Sequence, residues 1–190
     1  DKPLVVSPIY EVFSVDQSKL LSQYLAIWLS RKEFDRYARF NSWGSARENF
    51  SFEDMQNVEK ALIGGKAAAL VNDGDVIFLD ASSTTFNMLP HLKEKKNIIV
   101  ITNGAKTALL LGQMGIKNIC TGGRMLKNTF AFVGYDAIQT LKRYNADKAF
   151  VSCHGLSLEG LATDKSIEEN DLRLEMMAQA KESYLLCDSS

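Results

Sequence analysis

The chain has 190 residues, of which 46% are hydrophobic, and its 22 basic and 23 acidic residues give a net charge of −1. This length and composition predict one globular domain, or one domain with a short appendage. A chain of this size buries a core that is stable without disulfides. The balanced charge supplies no general attraction to nucleic acid or to an acidic membrane, so any DNA contact needs a separate local element.

The three cysteines, Cys120, Cys153 and Cys187, lie far apart and form neither a CxxC motif nor a cluster with histidine. This spacing argues against a zinc site and a disulfide framework, and the apolar strand-like runs around the cysteines predict buried, reduced thiols. No apolar run approaches the roughly 18 residues of a membrane-spanning helix, and no basic leader precedes a hydrophobic run. We therefore expect a cytoplasmic protein without a metal, a cofactor or a membrane-spanning segment.

Residues 1–50 differ in character from the rest of the chain. Ser14 and Gln17 fit a capping box, which predicts a helix from Val15 to about Phe40 with apolar side chains at three- and four-residue spacing. Basic residues also accumulate in this segment, namely Arg31, Lys32, Arg36, Arg39 and Arg47. Such a segment is more often a solvated face beside a packed one than a DNA contact. It is a candidate for a partial or degenerate DNA-binding region, or for a surface that binds a partner.

From about residue 56, short apolar runs alternate with segments of helical period. In chain order, the pattern predicts a helix over 56–71, a strand over 76–79, a helix over 86–92, a strand over 98–101, a helix over 105–113, a strand over 117–120, a helix over 135–144, a strand over 148–152, a helix over 166–181 and a strand over 184–187. Repeated strand–helix units predict an α/β fold with a mainly parallel sheet flanked by helices.

The ends of the predicted strands share a chemical character. Ligands of such sheets bind outside the carboxyl ends of the strands, which form one surface. Each end here carries small or hydrogen-bonding residues, where a merely structural turn would tolerate Lys, Glu or Pro equally well. They are Asp80 with Ser82, Ser83, Thr84 and Thr85, then Thr102 and Asn103, then Thr121, Gly122 and Gly123, then Ser152, His154 and Gly155, and finally Asp188 and Ser189.

The run from Ser82 to Thr85 has two interpretations. A buried strand that leads through Asp80 into a hydroxyl-rich helix start is typical of an anion cradle, and phosphate is its commonest occupant. Alternatively, Asp80 or Ser82 simply caps the helix that follows. The convergence of the other polar strand ends favours the phosphate site. Lys106 and Arg124 each follow a strand-end turn and are candidates to neutralise phosphate charge, with a solvated cation as the alternative.

An ordered series of motifs resembles the effector domain of the DeoR family of bacterial transcription regulators. The motifs are Asn57 to Lys60, Ile63 to Ala68, Asn72 to Asp75, Phe78 to Thr85, Val100 to Asn103, Gly122-Gly123, Gly134, Asp147 to Phe150 and Leu185 to Ser190. The resemblance covers roughly residues 51–190, which we take as the effector domain after an N-terminal segment of 1–50.

The resemblance implies a fold similar to ribose-5-phosphate isomerase and glucosamine-6-phosphate deaminase, in a form that senses its ligand. It also implies a phosphorylated sugar or related metabolite as ligand, operator DNA as a partner, and at least a dimer. Carried onto matching positions, Asp80 and Ser82 to Thr85 would line the ligand site, and Thr102, Asn103, Gly122, Gly123 and Ser152 would complete its rim.

The chain departs from the family pattern at three places. Ser82 and Ser83 stand where the family usually has Gly and Thr, and glycine would allow a positive φ close to phosphate. The family continues past Ser190 with a lysine and another strand or two, so the effector domain is a candidate for C-terminal truncation. Finally, residues 1–50 lack the family's usual winged helix-turn-helix, although Leu29-Ser30 and Phe34 to Arg36 faintly resemble its recognition helix.

An enzyme of the same fold is the alternative to a regulator. It would need a general acid and base, and the available groups are Asp80, His154, Lys165 and the carboxylates Asp164, Glu168 and Glu169. The segment from Asp164 to Glu169 fits an ordinary helix start better than a catalytic cluster, and His154 has no visible partner. We therefore expect no catalytic residues, and we expect a DeoR-type regulator that acts as a repressor and is controlled by a phosphorylated metabolite.

Overall fold

The structure is a computed structural model that describes residues 52–156 and 162–188, with side chains from residue 56 onward. The helix expected over 15–40 and the strand-end residue Ser189 lie outside this part. Contacts divide the chain into two units, one of residues 1–59 with 189–190 and one of residues 60–188. The account below concerns the second unit. The expected domain boundary near residue 50 stays a prediction.

The elements follow one another as repeated strand–helix units. In chain order they are α1 (Phe52–Ala69), β1 (Val76–Leu79), α2 (Ser83–Phe86), α3 (Leu89–Leu92), β2 (Ile99–Thr102), α4 (Ala105–Gln113), β3 (Lys117–Cys120), β4 (Arg124–Met125), β5 (Phe132–Val133), α5 (Tyr135–Leu141), β6 (Ala146–Ser152), β7 (Gly155–Leu156), β8 (Ala162–Thr163), α6 (Ile167–Ala178) and β9 (Ala180–Leu186).

A five-stranded sheet in the order β3-β2-β1-β6-β9 forms the centre, and all of its strand pairs are parallel. The register pairs Phe78 of β1 with Ile101 of β2 and with Ala149 of β6. Apolar runs such as Val76 to Leu79 are expected for central parallel strands, because helices cover both faces. The predicted α/β class with a parallel sheet is confirmed.

Two apolar cores lie on the two faces of the sheet, since consecutive strand residues point to opposite sides. On one face Ile77 and Leu79 belong to a buried cluster with the α2–α3 region and α4, through Met88, Leu89, Leu92 and Leu111. On the other face Phe78 and Ile101 belong to a cluster with α5 and α6, through Leu141, Leu172 and Met176. The carboxyl ends of all five strands lie at the same end of the sheet, which we call its carboxyl edge.

Several predicted elements differ from the structure. The helix expected over 86–92 is wrong, because two single turns, α2 and α3, replace it. Ser82 caps a helix that starts earlier, and Pro90 lies in the first turn of a new helix, where proline is tolerated. The helix expected to reach Lys181 ends at Ala178, since Ala180 already pairs with Ala146 in the sheet. The pairs β4–β5 and β7–β8 are antiparallel ribbons of two residues per strand, which are too short to leave a periodic signal.

The expected burial of the cysteines is wrong. Cys120, Cys153 and Cys187 are free and half-buried, since each lies at or just after the end of a strand. Within the described ranges, no group of three or more His, Cys, Asp or Glu side chains is arranged to hold a metal. In the same residues, no helix combines the length and the apolar character that crossing a membrane requires.

Candidate functional site

Asp80, directly after β1, is the most densely bonded polar residue at the carboxyl edge of the sheet. Its Oδ1 accepts hydrogen bonds from the Ser82 amide at 3.1 Å and from the Thr85 hydroxyl at 2.8 Å. Its Oδ2 accepts from the Ser152 amide at 2.9 Å and from Nε of Arg173 at 2.8 Å. Because Asp80 is only 1% exposed, these four donors satisfy a charge that is removed from water. Through these hydrogen bonds, the carboxylate links the end of β1 to the following turn, to β6 and to α6.

The turn after Asp80 is an N-cap. Ser82 has φ −75° and ψ 156°, and its hydroxyl accepts from the Thr85 amide at 3.1 Å. The capping interpretation is therefore confirmed for Ser82. Its backbone is extended, so a serine fits this position without the positive φ for which glycine would be needed. Ser83 is exposed at the first position of α2, whereas Thr84 and Thr85 are buried.

The end of β2 contributes Thr102 and Asn103, which are both buried. The Thr102 hydroxyl accepts from the Gly104 amide at 3.0 Å. Nδ2 of Asn103 donates to the Phe132 carbonyl at 3.1 Å, and the Phe132 amide donates to the Asn103 carbonyl at 2.7 Å. Oδ1 of Asn103 is a buried acceptor with no hydrogen-bond partner among the described residues. An acceptor left in this state is costly, so it favours an added donor.

The end of β3 is held beside β2 and then turns into β4. The Thr121 amide donates to the Thr102 carbonyl at 3.0 Å, and Gly122 and Gly123 follow with φ of +67° and +101°. A Cβ on Gly123 would lie 2.7 Å from the Val133 carbonyl oxygen, so this turn requires glycine for its conformation and for its close approach to β5.

The two predicted cations already have partners at the surface. Nζ of Lys106 lies 4.4 Å from the ring centroid of Phe130, a cation–π distance. The exposed Arg124 forms an ion pair with Glu168 on α6 at 2.5 Å, and that hydrogen bond raises the pKa of Arg124. Exposed pairs of this kind contribute little stability, so either side chain remains able to turn toward an anion.

The sequence-based prediction missed Arg173. This residue lies on α6 with a side chain that is 14% exposed, and it forms ion pairs with Asp80 and with Asp164. Arg173 directly follows the buried Leu172 on a helix whose inner positions include Met176. A cation beside inward-facing apolar residues is a signal of a buried ion pair, but the sequence does not reveal its partner 93 residues away.

The segment before α6 is an ordinary helix start, and its Asp164 also forms an ion pair with Arg173. The Glu169 amide donates to the Ser166 hydroxyl at 3.2 Å, and the Ser166 amide donates to Oδ1 of Asp164 at 3.1 Å. The helix-start interpretation is confirmed. His154 is exposed, and its amide donates to the Thr163 carbonyl at 2.9 Å as β7 begins.

The structure thus brings Asp80, Ser82, Thr85 and Ser152 into direct hydrogen-bond contact, and it places Thr102 next to Thr121. The other predicted residues follow the carboxyl ends of the strands: Asn103, Gly122 and Gly123 lie in loops, Ser83, Thr84 and Lys106 lie in helix starts, and Arg124 begins β4. Their role as a ligand site stays a prediction.

A parallel sheet with polar carboxyl ends defines an α/β domain with the fold of ribose-5-phosphate isomerase. The isomerase from Methanocaldococcus jannaschii aligns with a TM-score of 0.50 and 19% identity, over 71% of this chain and 52% of that one. A D-ribose-5-phosphate isomerase in complex with phospho-erythronic acid aligns with a TM-score of 0.52 and 16% identity, over 73% of this chain and 53% of that one. At these identities the likeness concerns the fold alone, and it confirms the predicted fold.

The family model described as the DeoR C terminal sensor domain matches residues 55–190, and the chain belongs to this family. Three similar proteins come from Bacillus subtilis strain 168. The HTH-type transcriptional regulator IolR is 33% identical over 70% of this chain and 53% of its own length. The repressor GlcR is 35% identical over 70% and 51%, and FruR, named an uncharacterized regulator, is 33% identical over 70% and 53%.

The family defines a sensor domain of transcriptional regulators, which confirms the expected class over the isomerase alternative. The chain spans about half the length of the curated relatives that it matches.

Proposed function

We propose that this domain senses a phosphorylated sugar or a related small phosphorylated metabolite at the carboxyl edge of its sheet. The observation that carries this proposal is the concentration of buried polar groups at four adjacent strand ends, from Thr121 through Thr102 and Asp80 to Ser152, in a member of a sensor-domain family. Burying polar side chains is costly, so their accumulation at one edge favours a use in binding.

The groups divide into those that hold the site and those that face a ligand. Asp80 already accepts four hydrogen bonds, so its role is to position the turn from Ser82 to Thr85. The helix start at Ser83 and Thr84 suits phosphate, since amide groups in the first turn of a helix have no acceptor within it. The unpaired Oδ1 of Asn103 suits a hydroxyl donor, which a sugar supplies.

Ligand binding would alter DNA binding by changing the populations of the protein's conformations or assemblies. A ligand that binds one conformation or assembly better than another shifts the protein toward it by the difference in affinity. We propose that the protein binds operator DNA as a homo-oligomer, and that the phosphorylated metabolite alters that binding. Paired half-sites in an operator require at least a dimer.

A thermal-shift screen tests the ligand class directly. Each phosphorylated sugar is compared with its unphosphorylated parent at the same concentration, and a true ligand raises the melting temperature by mass action. We expect stabilisation from one or more phosphorylated sugars and none from their parents. Equal shifts for both members of every pair, or no shift at all, would contradict the proposal.

A charge reversal at Ser83 locates the site. Ser83 is exposed at the first position of α2, where an acidic residue favours the helix, so Ser83→Glu is expected to fold normally. The new carboxylate would repel a phosphate at the helix start. The thermal shift should disappear in Ser83→Glu and persist in the uncharged control Ser83→Gln. A shift that survives in Ser83→Glu would place the ligand elsewhere.

A further inference from the structure

Two of the three cysteines lie side by side at the carboxyl edge of the sheet. Cys153 and Cys187 directly follow Ser152 of β6 and Leu186 of β9, which are register partners in neighbouring parallel strands. Their Sγ atoms are 3.3 Å apart, and both residues are half-buried free thiols. We propose that Cys153 and Cys187 are a thiol–disulfide modification site, which a low-molecular-weight disulfide oxidises to an intramolecular cross-link.

The backbone geometry suits such a cross-link. Neighbouring strands lie about 4.8 Å apart, and the Cα atoms of bridged cysteines are usually about 4.4–6.8 Å apart. The two sulfur atoms, which are 3.3 Å apart, need to approach by only about 1.3 Å more to reach the bonded distance of about 2.05 Å. Both residues lie past the last paired positions of their strands, so this movement breaks no ladder hydrogen bond.

The chemistry proceeds in two exchange steps. The Cys153 thiolate attacks one sulfur of a disulfide such as oxidised glutathione and displaces one thiol, which leaves a mixed disulfide on Cys153. Cys187 then loses its proton and attacks the Cys153 sulfur, which displaces the second thiol. Two protein thiols are oxidised to one disulfide, and one external disulfide is reduced to two thiols.

The order of the steps follows from the surroundings of the two thiols. Burial, followed by the hydrogen bond with Cys153, raises the pKa of Cys187 to about 12. The raised pKa disfavours the thiolate form of Cys187. We therefore propose that Cys153 makes the first attack. The cross-link would close a loop across 34 positions that contains β7, β8, α6 and β9, and with them Arg173.

The chain provides its own control in Cys120. Cys120 is the last residue of β3, and β3 and β9 are the two outer strands of the sheet. Strands β2 and β1 therefore lie between Cys120 and β6. At about 4.8 Å per strand, Cys120 is roughly 14 Å from the end of β6 and cannot join a cross-link with Cys153.

Peptide mapping of the full chain tests the proposal. The reduced protein is equilibrated with oxidised glutathione, quenched in acid, alkylated and digested without reduction. We expect a peptide that links Cys153 with Cys187, at a rate independent of protein concentration, while Cys120 is recovered alkylated. Cys120→Ser should form the same link. Cys187→Ser should stop at a glutathione adduct on Cys153.

Recovery of Cys153 and Cys187 as free thiols or as separate glutathione adducts in the wild-type chain would overturn the proposal. So would links that involve Cys120, or links only between two chains. The wild-type map and the Cys120→Ser map decide the matter even if Cys187→Ser fails to fold.

Discussion

At the scale of single residues, the carboxylate of Asp80 stabilises the fold, although its position after a strand is one where ligands often bind. Both of its oxygens are used within the protein, and its charge is balanced by Arg173 from a helix far along the chain. A buried charge without its partner is strongly unfavourable, whereas the pair as a whole contributes less. The ion pair therefore makes the position of α6 depend on the turn after β1.

The first prediction concerns this buried pair. Asp80→Asn removes one of the two carboxylates that face Arg173, while Asp164 still pairs with it, so the free energy of unfolding is expected to fall by about 1–3 kcal/mol. Urea unfolding measures the change, with Asp171→Asn, on the exposed side of α6, as a control expected to change little. The double variant with Arg173→Met should lose less stability than the sum of the two single variants. Simple additivity would show that the two side chains do not interact.

The second prediction concerns the capping hydroxyl of Ser82. Its hydrogen bond to the Thr85 amide is lost in Ser82→Ala, which is expected to cost about 1 kcal/mol in urea unfolding. Ser83→Ala next to it changes an exposed hydroxyl and should have almost no effect. Equal losses in the two variants would mean that the cap does not stabilise this turn.

At the scale of elements, the contact of α1 with the α2–α3 region depends on a glycine. A Cβ on Gly64 would lie 2.4 Å from the Asn87 carbonyl oxygen, which is backbone and cannot easily move. A Cβ on Gly65 would meet only the flexible His91 side chain, at 3.4 Å. The close approach holds α1 against the segment that follows the hydroxyl-rich turn.

The third prediction uses these adjacent glycines as a matched pair. Gly64→Ala is expected to destabilise the protein by about 1–3 kcal/mol through overpacking. Gly65→Ala should instead be neutral or stabilising by up to about 1 kcal/mol, because alanine favours a helix more than glycine does. Urea unfolding of both variants measures whether each one lowers or raises the free energy of unfolding. Stabilisation by Gly64→Ala would contradict the close approach.

The sequence predicts those elements whose signals are local. The bounds of β1, α4 and β3 agree with the prediction, because each is an apolar or periodic run with polar turns on both sides. The start of β9 could not be predicted in this way, since exposed Lys181 and Glu182 enter the sheet only through pairing with β6. For the site, residue types located the strand ends. The bonds from Arg173 to Asp80 and from Asn103 to Phe132 depend on the tertiary fold.

At the scale of the whole domain, the chain has the fold of an isomerase but belongs to a family of sensor domains, so the fold alone does not determine the activity. The parallel sheet brings all five carboxyl ends to one edge in any protein of this fold, so the edge is a place where ligands bind. Which chemistry occurs there depends on the side chains. In the described residues, Asp80 is neutralised by Arg173, and Asp164 and Glu168 are held by Arg173 and Arg124. Carboxylates engaged in this way suit a site that holds its ligand better than one that moves protons.

The last prediction concerns the pH dependence of the domain's stability, which two ion pairs at the other end of β6 influence. Asp147 accepts from Lys181 at 2.7 Å and from the Val76 amide at 2.9 Å, and these hydrogen bonds hold the pKa of Asp147 below its ordinary value. The hydrogen bond from Lys148 to Asp75, at 2.6 Å, raises the pKa of Lys148.

The two shifts act at opposite ends of the pH scale. A lowered carboxyl pKa adds stability above the unfolded pKa of about 4, and this is lost as pH falls through the lower folded value. A raised lysine pKa adds stability below about pH 10.5, which is lost as pH rises through the higher folded value. Urea midpoints should therefore fall both below about pH 4 and above about pH 10.5. Asp147→Asn should reduce the acid slope most, and it should also weaken the alkaline slope, because Asp147 raises the pKa of Lys181. Lys148→Met should reduce the alkaline slope most, while Asp171→Asn leaves both slopes unchanged. An acid slope that persists in full in Asp147→Asn would assign the acid sensitivity to other carboxylates.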